Sequence, residues 1–454
     1  MKTLLLLFKT PKMIQVAQIL FILSILVILH EFGHYIAARI FKVRVEKFYL
    51  FMDAGFSIFK KKINDTEWGI GWLPIGGYVK LSGMIDESMD THQMNQEPQE
   101  WEFRSKPAWQ RLIIMLGGII VNIVLAWLIY TVMFSTVGQK YVSTEAIQQN
   151  GLSFTEVGTS VGFKNGDKIL SVDGKMQPKF NWMVIDVLLS DSILVERAGQ
   201  KINISLTDEQ KGKIIATEGK SFMRPRYTNV TVDSVAPNTF AAAAGLQVGD
   251  EIKAVSGSKI TYYDELAPLL ESHKGDSVTV DILRSGEMVY LKSKVSQDGK
   301  IQFTPNATIA SENFEVNNQL SLGEAMPAAF KESWQLLVYN VKQFKLILSP
   351  KTEAYKQVQS PVGIARRLPN EWDWEFIWNF TALFSIGLAF INLLPIPGLD
   401  GGHALFTIAE MITGKTLSDK AMGYVQTAGM LILLTLMALT FGKDIYQLVV
   451  DKLL

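Results

Sequence analysis

An apolar run from Met13 to Ile40 constrains this chain more than any other feature, because it carries ionisable residues inside it. The run is long enough to span a bilayer as one helix, and His30, Glu31 and His34 lie towards its end. Residues i and i+4 share one face of a helix, so the two histidines can bind one metal ion. Glu31 stands beside them, where zinc hydrolases place their general base. Ionisable groups at this depth are costly and usually functional, which favours a metal site, still lacking a third ligand, over two packing histidines.

The composition is typical of a protein with both membrane and water-soluble parts. The chain has 454 residues, of which 48% are hydrophobic, and this length suggests about three structural units. Lysine plus arginine and aspartate plus glutamate both total 44, so the net charge of zero does not favour nucleic acid as a partner. The chain has no cysteine, which excludes thiolate metal sites, disulfides and cysteine nucleophiles.

Four apolar segments predict four membrane-spanning helices, at 13–40, 109–137, 376–394 and 421–449. Basic residues follow the first segment and precede the second: Arg39, Lys42, Arg44, Lys47, Arg104, Lys106 and Arg111. The positive-inside tendency therefore places the loop between them, and the nearby metal motif, towards the cytoplasm. Three lysines close to the N-terminus favour the opposite orientation.

The loop at 41–107 is predicted to form strands. Its stretch 68–81 reads WGIGWLPIGGYVKL, in which glycine and proline disfavour helix while aromatic and β-branched residues favour strand. We predict β-hairpins that are partly sunk against the membrane. Strand edges at that depth are costly unless they are paired, so the edge at Gly76, Gly77 and Tyr78 is predicted to accept a substrate strand. The alternative is a purely structural sheet.

The third apolar segment runs into NLLPIPGLDGGH at 392–403. Prolines and glycines break a helix at membrane depth only where protein encloses a polar cavity. Asp400 is our candidate for the third ligand, completing a His₂Asp set with a fourth position open for water. The alternative for Asp400 is an ion pair with a lysine. His403 could also bind the metal, although support of the site or a helix start is favoured for it.

Residues 138–318 contain an internal repeat. GFKNGDKILSVDG at 162–174 matches GLQVGDEIKAVSG at 245–257, with a constant offset of 83 residues (245 minus 162). The pattern resembles PDZ domains, which bind peptides by strand addition or serve as spacers, and both uses remain open. The predicted domains are the N-terminal lead with the first span (1–40), the cytoplasmic loop (41–107), the second span (108–137), two PDZ-like domains (138–228 and 229–318), an amphipathic membrane-surface helix with a linker (319–370), the third span with its LDG segment (371–420) and the fourth span (421–454).

In this order, HEFGH, Asn122 in the second span, the PDZ-like repeat and NLLPIPGLDGG resemble the site-2 intramembrane metalloprotease family over nearly the whole chain. The resemblance implies Zn²⁺ held by His30, His34 and Asp400, with Glu31 as the base. It also implies that Asn122 and Asn392 hold or polarise the substrate backbone. For Asn122, a hydrogen bond to a neighbouring helix is the alternative, because a single asparagine in a span commonly makes one. The expected fold is a multi-pass α-helical membrane protein with four transmembrane helices, a membrane-associated β-hairpin loop and two tandem PDZ-like α+β domains.

The same resemblance implies regulated intramembrane proteolysis in the bacterial inner membrane. The active site is expected towards the cytoplasm and the PDZ-like domains on the periplasmic side. Expected partners are membrane lipids and single-pass transmembrane substrates such as a trimmed anti-sigma factor, with remnant signal peptides as a further class; nucleic acid is not expected, and the oligomeric state stays open. Two alternatives are a PDZ-based membrane scaffold with a vestigial metal site and a metal-ion transporter, which four spans without inverted repeats disfavour.

Overall fold

The computed structural model describes residues 11–84, 97–217, 222–228, 230–306, 314–415 and 419–453. The N-terminal lead before residue 11 lies outside them. The chain forms two compact units. The first unit comprises Met1–Gly138, Gln319–Phe344 and Val358–Leu454, and the second comprises Gln139–Asn318 and Lys345–Gln357.

The α-helices of the described residues are, in chain order, α1 (Pro11–Ile40), α2 (Ala108–Thr136), α3 (Thr144–Gln148), α4 (Glu156–Ser160), α5 (Phe180–Leu189), α6 (Asp208–Ile215), α7 (Phe240–Ala244), α8 (Tyr263–Glu271), α9 (Leu322–Leu348), α10 (Pro361–Ala365), α11 (Trp374–Leu393), α12 (Asp400–Thr413) and α13 (Asp419–Leu453). The strands are β1 (Val45–Ile63), β2 (Thr66–Leu81), β3 (Gln139–Val142), β4 (Leu152–Phe154), β5 (Lys168–Val172), β6 (Ile193–Arg197), β7 (Gln200–Ile204), β8 (Met223–Pro225), β9 (Val230–Ser234), β10 (Glu251–Val255), β11 (Ser258–Lys259), β12 (Ser277–Arg284), β13 (Glu287–Lys294), β14 (Thr304–Pro305) and β15 (Glu315–Asn318).

Four helices in the described part of the chain are long and apolar enough to cross a membrane, namely α1, α2, α11 and α13. This confirms the predicted multi-pass helical architecture. The first two spans approach closely because glycines face each other: a Cβ on Gly33 would lie 2.3 Å from the carbonyl oxygen of Gly117. Small residues permit such backbone contact between membrane helices. This contact brings the histidine face of α1 against α2.

The loop after α1 forms a sheet from the long strands β1 and β2, which pair antiparallel. Register shifts let both strands fold back on themselves, so Leu50 lies beside both Gly77 and Ile70, and Ile70 in turn lies beside Phe59. The sheet therefore has rows of four neighbouring residues. Its two outer edges are the segments 57–63 and 77–81.

The third span ends at Leu393, and a short loop separates it from α12, which begins at Asp400. Gly398 has a φ of +92°, a left-handed conformation that glycine adopts without steric cost. A Cβ on Gly401 would lie 2.3 Å from the carbonyl oxygen of Leu394, so this turn is tightly folded. Region 371–420 thus contains two helices, and the turn between them carries the LDG segment.

The second unit contains two separate hydrophobic cores, one for each copy of the repeat. The first copy contains a sheet of order β5-β6-β7 and the pair β4-β8, whereas the second contains the order β13-β12-β10-β9-β14 with β11 beside β10. Each Gly-Asp motif precedes a strand of its sheet, β5 or β10. The two copies are thus separate α+β modules, and their assignment as PDZ domains remains a prediction.

An arginine clamps the buried aspartate of each repeat copy. Arg197 donates Nε and Nη2 to Asp167 at 2.7 Å, and Arg284 donates the same two groups to Asp250 at 2.7 Å. Burial alone would raise the pKa of Asp250, but hydrogen bonds from Arg284 and from the Gln247 N–H lower it. Sequence comparison of the two motifs did not reveal this clamp.

The helix predicted to be amphipathic is α9. Its buried residues include Ala325, Ala329 and Leu336, whereas other apolar residues follow its exposed face at helical spacing. These exposed residues are Leu322, Met326, Phe330, Trp334 and Val341. The pattern agrees with an amphipathic helix, and its place on a membrane surface remains a prediction.

Candidate active site

Three predicted ligands converge inside the first unit. His30 Nε2 and His34 Nε2 are 3.4 Å apart, and Asp400 Oδ2 lies 3.3 Å from the former and 3.2 Å from the latter. The histidines come from α1 and the aspartate from the first turn of α12, 370 residues later in the chain (400 minus 30). Among the described residues these three form a group that could hold a metal ion.

Hydrogen bonds from neighbouring residues orient both imidazole rings. His34 Nδ1 lies 2.8 Å from the carbonyl oxygen of Ile114, which can only accept, so Nδ1 carries the proton and Nε2 keeps its lone pair. His30 Nδ1 lies 3.2 Å from the side-chain amide of Asn122. An asparagine amide can face either way, and with Oδ1 towards His30 it would accept the Nδ1 proton. That orientation also pairs Asn122 Oδ1, which otherwise has no partner among the described residues.

The donor geometry fits zinc. Asp400 Oδ2 is buried and receives no well-directed hydrogen bond from the described residues, although two imidazole nitrogens are close to it. Lone pairs on these atoms face one another, which is unfavourable unless a cation lies between them. Tetrahedral zinc with nitrogen and oxygen ligands at about 2.0–2.1 Å separates its ligand atoms by roughly 3.3 Å. The observed separations of 3.2 to 3.4 Å agree with that value.

Glycines of α2 make room for the two rings. A Cβ on Gly118 would lie 2.5 Å from His34 Nε2 and 2.6 Å from His30 Cε1. Together, Gly117 and Gly118 allow close approach of the helices and of the ligand rings.

Glu31 and Asn392 adjoin the three ligands in a cavity of about 610 Å³. Asn392 Nδ2 lies 3.3 Å from His30 Nε2, so a side-chain amide adjoins the metal position. Asn122 is fully buried behind His30, and the residues lining the cavity do not include it. The structure thus separates the two asparagines, which had been assigned the same role.

One outer edge of the sheet forms a wall of the same cavity. Gly76, Gly77 and Tyr78 line it together with the rest of segment 77–81. A Cβ on Gly77 would lie 2.5 Å from Val27 Cγ1, so only glycine lets this strand approach α1 so closely. Tyr78 points into a polar cluster, where its hydroxyl donates to Asp53 Oδ1 at 3.0 Å. Burial and this hydrogen bond raise the pKa of Tyr78.

His403 also lines the cavity but is not one of the three clustered ligands. Its Nε2 lies 2.8 Å from Gln426 Nε2 on α13, so it connects the cavity wall to the fourth span. Ile114, whose carbonyl accepts from His34, is a contributor that sequence patterns could not indicate. Its contribution comes from the backbone, which any residue type provides.

Comparisons with known proteins agree with this geometry. The family model for peptidase family M50 matches residues 18–436. The regulator of sigma-E protease RseP from Escherichia coli K12 is 27% identical over 451 residues, covering 94% of this chain and 97% of its own. A candidate zinc metalloprotease from Vibrio cholerae serotype O1 is 30% identical over 455 residues, with 94% and 97% coverage. A similarly named protein from Neisseria meningitidis serogroup A is 28% identical over 459 residues, with 94% and 98% coverage.

The names of these relatives and the His₂Asp donor set identify zinc as the cofactor. The four apolar helices identify a membrane protein. Because the family model extends over nearly the whole chain, this protein belongs to peptidase family M50, the site-2 protease family.

Proposed function

We propose that this chain is an intramembrane zinc protease that cleaves the transmembrane segments of single-pass membrane proteins. One observation carries the proposal: a His₂Asp cluster and a glutamate share a cavity within membrane-spanning helices, and a strand edge forms one wall of that cavity. The cluster suits zinc hydrolysis, and the strand edge suits an extended peptide.

The chain's own residues have distinct tasks in this proposal. Bound zinc would act as a Lewis acid and lower the pKa of a water molecule at the site. Glu31 accepts the proton of the attacking water and passes it to the leaving nitrogen as the peptide bond breaks. Asn392 donates a hydrogen bond from its side-chain amide to the oxygen on which negative charge develops. Asn122 acts through His30, by holding that ring in the orientation that leaves Nε2 free.

The helical structure of the substrate is an obstacle to binding its backbone. A transmembrane helix pairs its own backbone groups, and hydrocarbon offers them no other partner. The edge at 77–81 adjoins Glu31, whose carboxylate accepts a hydrogen bond from the Val79 backbone, and a substrate segment that unwinds could pair along this edge. Gly76, where an added Cβ would meet no atom within 4 Å, leaves space for that segment, and the hydrogen bond from Tyr78 to Asp53 keeps the edge in place.

The relatives named regulator of sigma-E protease suggest the class of substrate. We propose an anti-sigma-factor-like single-pass protein that another protease has already trimmed, with remnant signal peptides as a further class. The proposed location is the bacterial inner membrane, with the active site towards the cytoplasm. The two modules of the second unit, as PDZ-like domains on the other side, would select substrates by size or by their exposed tail.

Replacing Glu31 by glutamine tests the catalytic assignment. Glu31→Gln should bind one zinc ion as the wild type does, because Glu31 is not among the clustered ligands. Cleavage of a membrane-embedded reporter should fall by roughly 10²- to 10⁴-fold, the usual contribution of a general base. Metal analysis and reporter cleavage are measured on the same reconstituted sample.

Glu287→Gln is the matched control, because Glu287 is an exposed residue of β13 in the second unit. It should cleave the reporter at the wild-type rate. Normal cleavage by zinc-loaded Glu31→Gln protein would refute the assignment of Glu31 as the base. The alternative, a scaffold with a vestigial metal site, predicts instead that the wild type does not cleave the reporter. That scaffold should also keep its function after His34→Ala.

A further inference from the structure

The outer edge of the sheet opposite the substrate edge combines exposed apolar and basic residues. Segment 57–63 reads SIFKKKI, and it follows Phe56. The side chains of Ile58 and Phe59 are 67% and 55% exposed. Lys60, Lys61 and Lys62 are exposed too, and within the described part of the chain none of them forms an ion pair. Large apolar side chains exposed beside a run of three lysines are unusual on a surface that faces only water.

The rows of the sheet give the depth of each of these residues relative to the first span. Gly77, Leu50, Ile70 and Phe59 form one row, and Gly77 packs against Val27 in the middle of α1. Phe59 therefore lies at the depth of the hydrocarbon core. Phe56, on the side of Phe59 away from the lysines, stacks on Trp72, with ring centres 5.6 Å apart.

The lysines lie at a different level. Lys62, Glu67, Lys47 and Lys80 form the row three residues further along. At about 3.3 Å per residue, that row is roughly 10 Å closer to the end of α1 than the row of Phe59. Leu81, the residue after Lys80, belongs to the same hydrophobic cluster as Ala37 and Ala38 in the last turn of α1. Lys62 is thus close to the level at which the first span ends and headgroups begin. Lys61 and Lys60 lie one and two residues deeper, and their long side chains can extend towards the headgroups.

We propose that segment 57–63 docks onto anionic lipid headgroups of the leaflet around the first span, with Lys60, Lys61 and Lys62 at the phosphates and Ile58 and Phe59 below them among the acyl chains. The positive charge and the apolar step at the same edge match the two layers of such a leaflet. Lysines alone could merely protect a free strand edge from pairing. The exposed Ile58 and Phe59 argue against that explanation, because protection does not require apolar exposure.

The docking has a consequence for the substrate edge. Phe59 and Gly77 belong to one row of hydrogen-bonded neighbours, so anchoring one edge of the sheet restrains the other. The two edges thus have different partners: segment 77–81 faces the cavity and segment 57–63 faces lipid. Lipid binding by segment 57–63 does not depend on the proposed proteolytic activity.

A single fluorescent label tests the docking directly. The chain has no cysteine, so Ile58→Cys in the full-length protein accepts one environment-sensitive NBD group. The protein is reconstituted in vesicles of phosphatidylcholine, or of equal parts phosphatidylcholine and phosphatidylglycerol. With phosphatidylglycerol at low salt, the emission should shift to the blue and the label should resist quenching by aqueous iodide. High salt should reverse both effects.

Charge variants supply the decisive comparison. A basic residue near an anionic surface contributes about fivefold, so Lys60→Gln, Lys61→Gln and Lys62→Gln combined should weaken docking on the order of a hundredfold. The corresponding triple arginine variant should dock as the wild type does. The control replaces three exposed lysines of the second unit by glutamine and should also dock normally: Lys259, Lys292 and Lys294.

Equal protection of the label in both vesicle types would overturn the proposal, as would an unchanged label in the triple glutamine variant. In one such outcome, the triple glutamine variant captures an acidic-tailed substrate more weakly than the wild type does in pure phosphatidylcholine, while its label signal is unchanged. That result would assign the lysines to substrate binding. All label measurements can be repeated with Glu31→Gln protein. A failure of docking is therefore distinguishable from a failure of the proposed catalysis.

Discussion

Replacing Gly118 by alanine should weaken zinc binding without unfolding the protein. Gly118 lies on α2, directly against the two ligand rings of α1. A Cβ at this position would lie 2.5 Å from His34 Nε2, 2.6 Å from His30 Cε1 and 2.7 Å from His30 Nδ1. Carbon and its non-bonded neighbours are normally separated by about 3.5–4.0 Å. The rings must therefore move by roughly 1 Å, or the helices must separate.

The expected loss of zinc affinity follows from how little metal sites tolerate a change in ligand distances. Ligand distances in a functional site vary by only about 0.2 Å, so a displacement of roughly 1 Å exceeds that tolerance several-fold. Loss of a group that orients a ligand typically costs 10- to 100-fold in metal affinity. Gly118→Ala displaces both histidines at once, so we expect at least the upper part of that range. Overpacking should cost about 1–3 kcal/mol of stability, which leaves the chain folded.

Zinc affinity is measured by competition with a chromophoric chelator in detergent, and helix content by circular dichroism. The control is Gly387→Ala on the third span, where an added Cβ meets no atom within 4 Å. It should bind zinc as tightly as the wild type. Wild-type affinity in Gly118→Ala would show that the ligand rings tolerate the added methyl group, which would refute the reasoning from close contact.

Two further predictions concern the second unit. Asp250→Asn should increase hydrogen exchange in β10 and β12, corresponding to a loss of about 1–3 kcal/mol, because it removes the charge that Arg284 pairs with. The pKa of Asp250 is lowered by folding, so its contribution should be full above the ordinary pKa near 3.8 and decline as pH falls below it. An Asp250→Asn protein should lack this acid dependence, and an identical pH profile would contradict the assignment. Removal of 139–318 should permit cleavage of untrimmed substrates if this unit selects them; the ends can be rejoined because Gln139 pairs with Asn318. Unchanged selectivity would argue against selection.

Much of the site could be predicted from sequence because its signals are local. His30, Glu31 and His34 fall within five residues, and helical periodicity alone puts the histidines on one face. Asp400 was identifiable because a carboxylate among prolines and glycines at membrane depth requires a cation or a partner. The four spans followed from apolar length, and the two modules from a repeated motif. None of these inferences required knowledge of which elements pack together.

Other features depend on contacts between distant residues, and sequence patterns carry little information about those. The Ile114 carbonyl that orients His34 could belong to any residue type. For Asn122 the sequence left substrate contact and a bond to a neighbouring helix both open, and the structure places it against His30 of the first span. In the arginine clamps, Arg197 follows Asp167 by 30 positions and Arg284 follows Asp250 by 34 positions. Both arginines lie outside the repeated motif.

By itself, the sequence determined the spans, the candidate ligand residues and the strand-rich loop, because apolar length, helical spacing and backbone-breaking residues act over short stretches of chain. Only the tertiary structure decided the separation of the nitrogens and oxygen that would hold zinc, the fold-back of the sheet into two edges, and the different positions of Asn122 and Asn392. These depend on how closely backbones approach, as at Gly33 and Gly117, where the absence of two side chains sets the distance between α1 and α2.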